Sequence, residues 1–258
     1  MNDKMTRLWA TKTPNDEWWS SFVTAPIAVV FNYLVVDIKW LTPNLVTLAS
    51  FVTALIAAVL IVIGGMANFI LAAALIQLSH VFDCMDGQMA RYRQETSASG
   101  SLLDQVTDQL QVSLWFGAAG FAAAEQSERV VPIMLALIGL AFYSLRGYAK
   151  YVEIHIEVSR NNRYLQQDAE KLPADTTPEA ATRSRDLFGT LKWFTREQRK
   201  ILNFNEGVFI FMLSLALVLD QLTPMLWVFA ISQVVLGTSR TWQRWRSIEL
   251  GLGQRVAK

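Results

Sequence analysis

HVFDCMDGQMAR, residues 80–91, and GSLLDQVTDQL, residues 100–110, set four aspartates between, and partly inside, apolar runs: Asp83, Asp86, Asp104 and Asp108. On a helix, residues three or four apart share a face. Asp83 and Asp86 therefore present one pair of carboxylates, Asp104 and Asp108 another, and two helices side by side bring all four together. Clustered carboxylates repel unless cations sit among them. Mg²⁺ takes oxygen ligands and is commonly held by carboxylates together with substrate phosphates, and paired divalent ions serve displacement at phosphorus. The competing reading is a set of helix-end aspartates, solvated at a membrane surface or paired with Arg91 and Arg93. Ionisable residues in or near a membrane are costly to keep and mark function by default. The stretch points to phosphoryl transfer at a membrane.

Composition agrees. The chain of 258 residues is 52% hydrophobic and 17% charged, with a mean hydropathy of +0.27, outside the range of an ordinary soluble domain. A net charge of +1 and the lack of a basic stripe with interleaved aromatics give no sign of nucleic-acid binding. Cys84 is the single cysteine, so no intramolecular disulfide forms; it reads as a small buried residue. His80 and His155 are too far apart for a zinc motif. His80, one turn before Asp83, reads as a packed or hydrogen-bonded histidine; contact with the site is the other reading.

A bilayer core of about 30 Å needs roughly 20 apolar helical residues. Six runs of this kind are expected near 43–65, 67–92, 99–124, 130–157, 204–220 and 223–246, broken at Gly64-Gly65, at 125–129 and from Asp220 to Pro224. Residues 15–38 mix Trp18, Trp19, Phe22, Ile27, Phe31 and Leu34 with Asp16, Glu17, Asn32 and Asp37, which predicts an amphipathic helix lying in the interface; a tilted seventh span is the other reading. The expected architecture is all-α and integral to the membrane, one domain over 1–258, with six transmembrane helices behind an interfacial one. Residues 158–203, with Pro173 and several charges, read as a cytoplasmic linker with an interfacial helix around 191–196. No secretory signal pattern is present. With a cytoplasmic N-terminus and six spans, Arg129 is the only basic residue in an outward loop, so the positive-inside rule places both termini and all four aspartates on the cytoplasmic side.

Read together, Asp83, Asp86-Gly87, Ala90-Arg91, Gly100, Asp104 and Asp108 resemble the signature of the CDP-alcohol phosphotransferase family, eight identities at fixed spacing across twenty-six positions. The resemblance implies transfer of a phosphate-linked group, foremost phosphatidyl from CDP-diacylglycerol, to an acceptor hydroxyl with release of CMP. It also implies two divalent cations, Mg²⁺ or Mn²⁺, held by Asp83, Asp86 and Asp104, with Asp108 near the metals and acting as the base that takes the hydroxyl proton. Gly87 and Gly100 would let nucleotide approach the backbone, and Arg91 suits a phosphate or the holding of a metal-ligating carboxylate, with the nucleotide side favoured. Upstream, Pro43-Asn44 with Thr47 one turn later resembles a family element close to the nucleotide, making Asn44 and Thr47 candidate contacts.

For the acceptor, Arg146 and Lys150 lie four apart near the cytoplasmic end of the fourth span and suit an acceptor phosphate; snorkelling at a helix end is the plainer role. Relatives using inositol phosphate carry a Lys followed closely by an Arg in this region, whereas Tyr151 and Val152 follow Lys150 here. A phosphorylated polyol such as inositol phosphate or glycerol phosphate is the expected acceptor, against phosphatidylserine synthesis or transfer of a CDP-choline or CDP-ethanolamine type to a lipid alcohol. A transporter lined by aspartates is the remote alternative. The resemblance further implies a homodimer among membrane lipids, for which Gly117, Ala118, Gly120 and Gly139 would permit close helix approach.

Overall fold

The computed structural model describes residues 3–12, 18–161 and 206–250, and every element among them is helical. In chain order these are α1 (Asp3–Trp9), a π-helical turn (Ser20–Thr24) running into α2 (Ala25–Val35), α3 (Pro43–Ile63), α4 (Met66–Arg93), α5 (Ala98–Ser127), α6 (Val131–Arg160), α7 (Glu206–Val218) and α8 (Leu222–Glu249). Local signals set the boundaries. Pro43 opens α3, where Thr42 accepts a hydrogen bond from the Leu45 N–H at 3.3 Å, and Ser97 caps α5 by accepting from the Gly100 N–H at 3.0 Å. Between α3 and α4 the chain reverses through Gly64 and Gly65 at φ +75° and +87°, a conformation glycine adopts without strain.

α3 packs along both α4 and α5, α6 along α8, and α7 along α4. Small residues permit this closeness: Ala54, Ala57 and Ala58 of α3, Ala72 and Ala73 of α4, and Ala119, Ala122 and Ala123 of α5 are all buried. Aromatic rings fill the remainder, with Phe116 and Phe229 stacked at 3.7 Å between centroids. Outward-facing Leu, Val and Ile on α3, such as Leu48, Val52, Leu55 and Val59, are exposed, the inverse of a water-soluble helix.

Each of the six expected runs forms a helix, and four of the helices are long and apolar enough to cross a membrane: α3, α4, α6 and α8. α5 has the length, but Asp104, Gln105, Asp108, Gln109 and Gln111 dilute its first half. α7 is described over only 13 residues. Three ends move by three residues, that of α8 reaching Glu249. α6 continues to Arg160, past the expected start of the linker at 158, and α5 continues to Ser127. The rest of the expected linker and its interfacial helix lie outside the described residues.

The N-terminal region departs further from expectation. α1 was not anticipated, and α2 covers only part of 15–38. Polar residues of the π-helical turn and of α2 turn inward along α4: Ser20 meets His80 at 2.8 Å, Thr24 meets Cys84 at 3.6 Å, and Asn32 donates to the Met85 carbonyl at 2.9 Å. Phe22, Val30, Phe31 and Leu34 face out. The small residues expected to serve a dimer contact are also largely used within the chain. A Cβ on Gly120 would come 2.7 Å from that of Ala136, one on Gly139 would meet the Phe229 ring, and Ala118 is buried; only Gly117 faces open space.

Candidate metal and nucleotide site

α4 and α5 hold the aspartates. One carboxylate oxygen from each of Asp83, Asp104 and Asp108 falls within 4.8 Å of the other two. Opposite ligands of a single Mg²⁺ stand about 4 Å apart, so small side-chain movements close this trio on an ion. The donor set is all oxygen, which suits Mg²⁺ or Mn²⁺ better than softer metals. Asp86 is buried at 6% exposure, near enough to Asp104 and Asp108 for their charges to act on it. It is not part of the trio: its Oδ2 accepts a hydrogen bond from the Thr47 hydroxyl.

The expected nucleotide residues fall into two places around the carboxylates. Asn44, exposed at the start of α3, lies beside Gly100 at the start of α5; a Cβ on Gly100 would come 3.2 Å from Asn44 Oδ1 and 3.0 Å from Ser97 Oγ. Arg91 lies back over Gly87, with Nη1 and Nη2 at 3.2 and 3.3 Å from where a Gly87 Cβ would be. Its charge reaches Asp104, and its Nε donates to the Thr11 carbonyl at 2.8 Å. Neither glycine position accommodates a side chain without displacing a polar neighbour. Thr47, expected at the nucleotide, is buried and engaged with Asp86 and the Pro43 carbonyl.

Further residues support the site, of which the sequence singled out His80 alone. His80, buried at 4%, has Nε2 on Ser20 and Nδ1 at 3.9 Å from Asp83 Oδ2. One turn further into the bundle from the carboxylates, Ser50, Ser79 and Gln111 join α3, α4 and α5. The Ser50 hydroxyl donates to the Ser79 carbonyl at 2.8 Å, and the Ser79 hydroxyl to Gln111 Oε1 at 2.9 Å. Each stands three or four residues from Thr47, Asp83 or Asp108, so this buried polar layer fixes the three helices in register beneath the site. Their spacing from the motif could have flagged them; nothing in the sequence pairs them. Arg93 is a structural cap, donating to the carbonyls of Val36, Ile38 and Leu41.

Arg146 and Lys150 stand one turn apart on α6. Arg146 faces α8, where its Nη1 donates to the buried Gln233 Oε1 at 2.8 Å, and Lys150 is exposed. The α6 residues that reach α5 beside the aspartates are Ser144, bonded to Gln109 at 3.1 Å, and Tyr151, bonded to Gln105 at 2.5 Å.

A family model described as CDP-alcohol phosphatidyltransferase matches residues 40–176, more than half of the chain. Among solved structures, that of Mycobacterium tuberculosis phosphatidylinositol phosphate synthase with CDP-DAG bound is similar at 20% identity and a TM-score of 0.51, covering 86% of this chain and 94% of that one. At this identity the likeness shows a shared fold. No curated protein is similar to the chain in sequence.

Proposed function

The chain belongs to the CDP-alcohol phosphatidyltransferase family, and from that premise we propose that it transfers phosphatidyl from CDP-diacylglycerol to an acceptor hydroxyl, releasing CMP. The observation that carries the reading is the trio Asp83, Asp104 and Asp108, gathered on two helices with Asp86 beside it. Asp83, Asp86, Asp104 and Asp108 would hold two divalent cations, Mg²⁺ or Mn²⁺. When bound, these supply positive charge against the pyrophosphate and the departing CMP.

The protein's own groups do the rest. Asn44 and the backbone at Gly100 line one side of the nucleotide, and Gly87 with Arg91 the other. Thr47 holds Asp86 in place. Asp108 takes the proton of the attacking hydroxyl, a role open to a carboxylate within hydrogen-bond reach of it. The enzyme is a single domain with six membrane-crossing helices, α3 to α8, behind an N-terminal helix at the interface; both termini and the site are cytoplasmic, as the distribution of Lys and Arg supports. It works as a homodimer among membrane lipids.

The acceptor is a phosphorylated polyol, inositol phosphate or glycerol phosphate, whose phosphate is met by Arg146 and Lys150. The fold neighbour, which carries CDP-DAG in its structure, supports the donor. The test is CMP release from CDP-diacylglycerol across serine, glycerol phosphate, inositol phosphate, phosphatidylglycerol and free inositol. Stimulation by a phosphorylated polyol is expected; stimulation by serine or phosphatidylglycerol alone would overturn the assignment.

A further inference from the structure

The first dozen residues contain no position of the signature, yet their described part is fastened to the end of α4 that carries it. Leu8 is fully enclosed, at 0% exposure, in a buried cluster with Val29 of α2, Val46 of α3, and Val81, Met85 and Met89 of α4. Polar and aromatic contacts flank this anchor. Lys4 pairs with Asp37 and donates to the Tyr33 carbonyl at 2.7 Å; the Arg7 guanidinium lies 4.6 Å from the centre of the Tyr92 ring; Lys12 donates to the Ser21 carbonyl at 2.9 Å. So many contacts on ten residues are more than a solvated terminus requires.

The consequential contact is the one from Arg91 Nε to the Thr11 carbonyl. Thr11 lies two residues past the end of α1, where the chain has left the helix and its carbonyl is turned to Arg91. A guanidinium is planar and rigid, so holding Nε sets the plane and with it the direction of Nη1 and Nη2. Those nitrogens are the ones lying over Gly87.

We propose that residues 3–12 form a strap that positions Arg91 for the donor: Leu8 is its anchor and the Thr11 carbonyl its point of contact. The proposal rests on Arg91 serving the nucleotide side, as argued above. The strap is not itself catalytic; it acts through Arg91.

The experiment is calorimetric binding of CMP and CDP-diacylglycerol in Mg²⁺, with donor kinetics, on the full chain carrying Leu8→Asp, Arg91→Gln or both. Leu8→Asp is expected to weaken donor binding about tenfold or more, the range of one charge-assisted hydrogen bond. Donor KM should rise more than kcat falls. In the Arg91→Gln background Leu8→Asp should add nothing, a non-additivity that a general loss of stability does not produce. If Leu8→Asp does not fold, Leu8→Ala carries the same comparison. Native donor affinity in the Leu8 variant, or losses that add in full, would overturn the strap while leaving Arg91 at the nucleotide. Native donor affinity in Arg91→Gln would remove the nucleotide role and the strap together.

Discussion

The Thr47 hydroxyl, on the first long helix, donates a hydrogen bond to Asp86 Oδ2 on the next, and both side chains are buried. A residue upstream of the aspartate motif thereby fixes the orientation of one of its carboxylates. Such outlying partners are needed because a buried carboxylate left without a donor is strongly disfavoured, and because partners of this kind set the affinity of metal ligands.

Removing that donor while keeping its shape isolates the effect. Thr47→Val is expected to destabilise the fold by about 1–3 kcal/mol and to weaken Mn²⁺ binding, whereas Thr47→Ser retains both. Thermal unfolding and Mn²⁺ titration check this; native values for Thr47→Val would show that Asp86 does not depend on Thr47.

The two glycines near the middle of the bundle separate packing from function. Gly139→Ala drives a methyl into the Phe229 ring, and overpacking of this kind costs about 1–3 kcal/mol. Gly117→Ala adds a methyl to open space inside α5 and should keep or raise stability, by up to about 1 kcal/mol. Equal unfolding temperatures for the two variants would contradict the described packing of α6 on α8.

Asp83 and Asp108 belong to the same trio, but their proposed roles differ. Asp83→Ala removes a metal ligand and should abolish metal-dependent CMP binding. Asp108→Asn keeps an oxygen donor while losing the proton acceptor, so it should retain more binding than activity, with turnover reduced at least about a hundredfold. Calorimetry showing equal loss of CMP in both variants would remove the separate base.

Arg146 and Lys150 test the acceptor. Replacing both with Gln is expected to raise KM for a phosphorylated polyol by about tenfold or more, one charge-assisted hydrogen bond's worth, while donor affinity stays near native. Since Arg146 is bonded to Gln233, an unchanged KM would mean that it serves the contact between α6 and α8 instead.

The fold was legible wherever a single helix carried its own signal. Apolar length located the six helices, and Pro43 and the Gly64-Gly65 pair mark ends that local chemistry alone dictates. At the site, the spacing of Asp83 and Asp86, and of Asp104 and Asp108, gave each pair its common face. What was not legible depends on which helices become neighbours. Nothing in the surroundings of Thr47 points to its bond with Asp86, 39 residues away. Ser50, Ser79 and Gln111 are ordinary polar residues until α3, α4 and α5 meet. Gly120 and Gly139 looked available to a second copy, yet Ala136 and Phe229 of the same chain occupy their surfaces. The attachment of Leu8 and Thr11 to α4 spans some eighty residues, beyond the reach of any periodicity.

The central claim is that the clustered aspartates act with divalent cations on a CDP-linked lipid. It is tested most directly by CMP release from CDP-diacylglycerol by the purified protein, with an acceptor present, in Mg²⁺, after chelation and after Mg²⁺ is restored. The account predicts release in Mg²⁺, none after chelation, full recovery on restoration, and none at any stage with Asp83→Ala. Undiminished CMP release in metal-free buffer would contradict it.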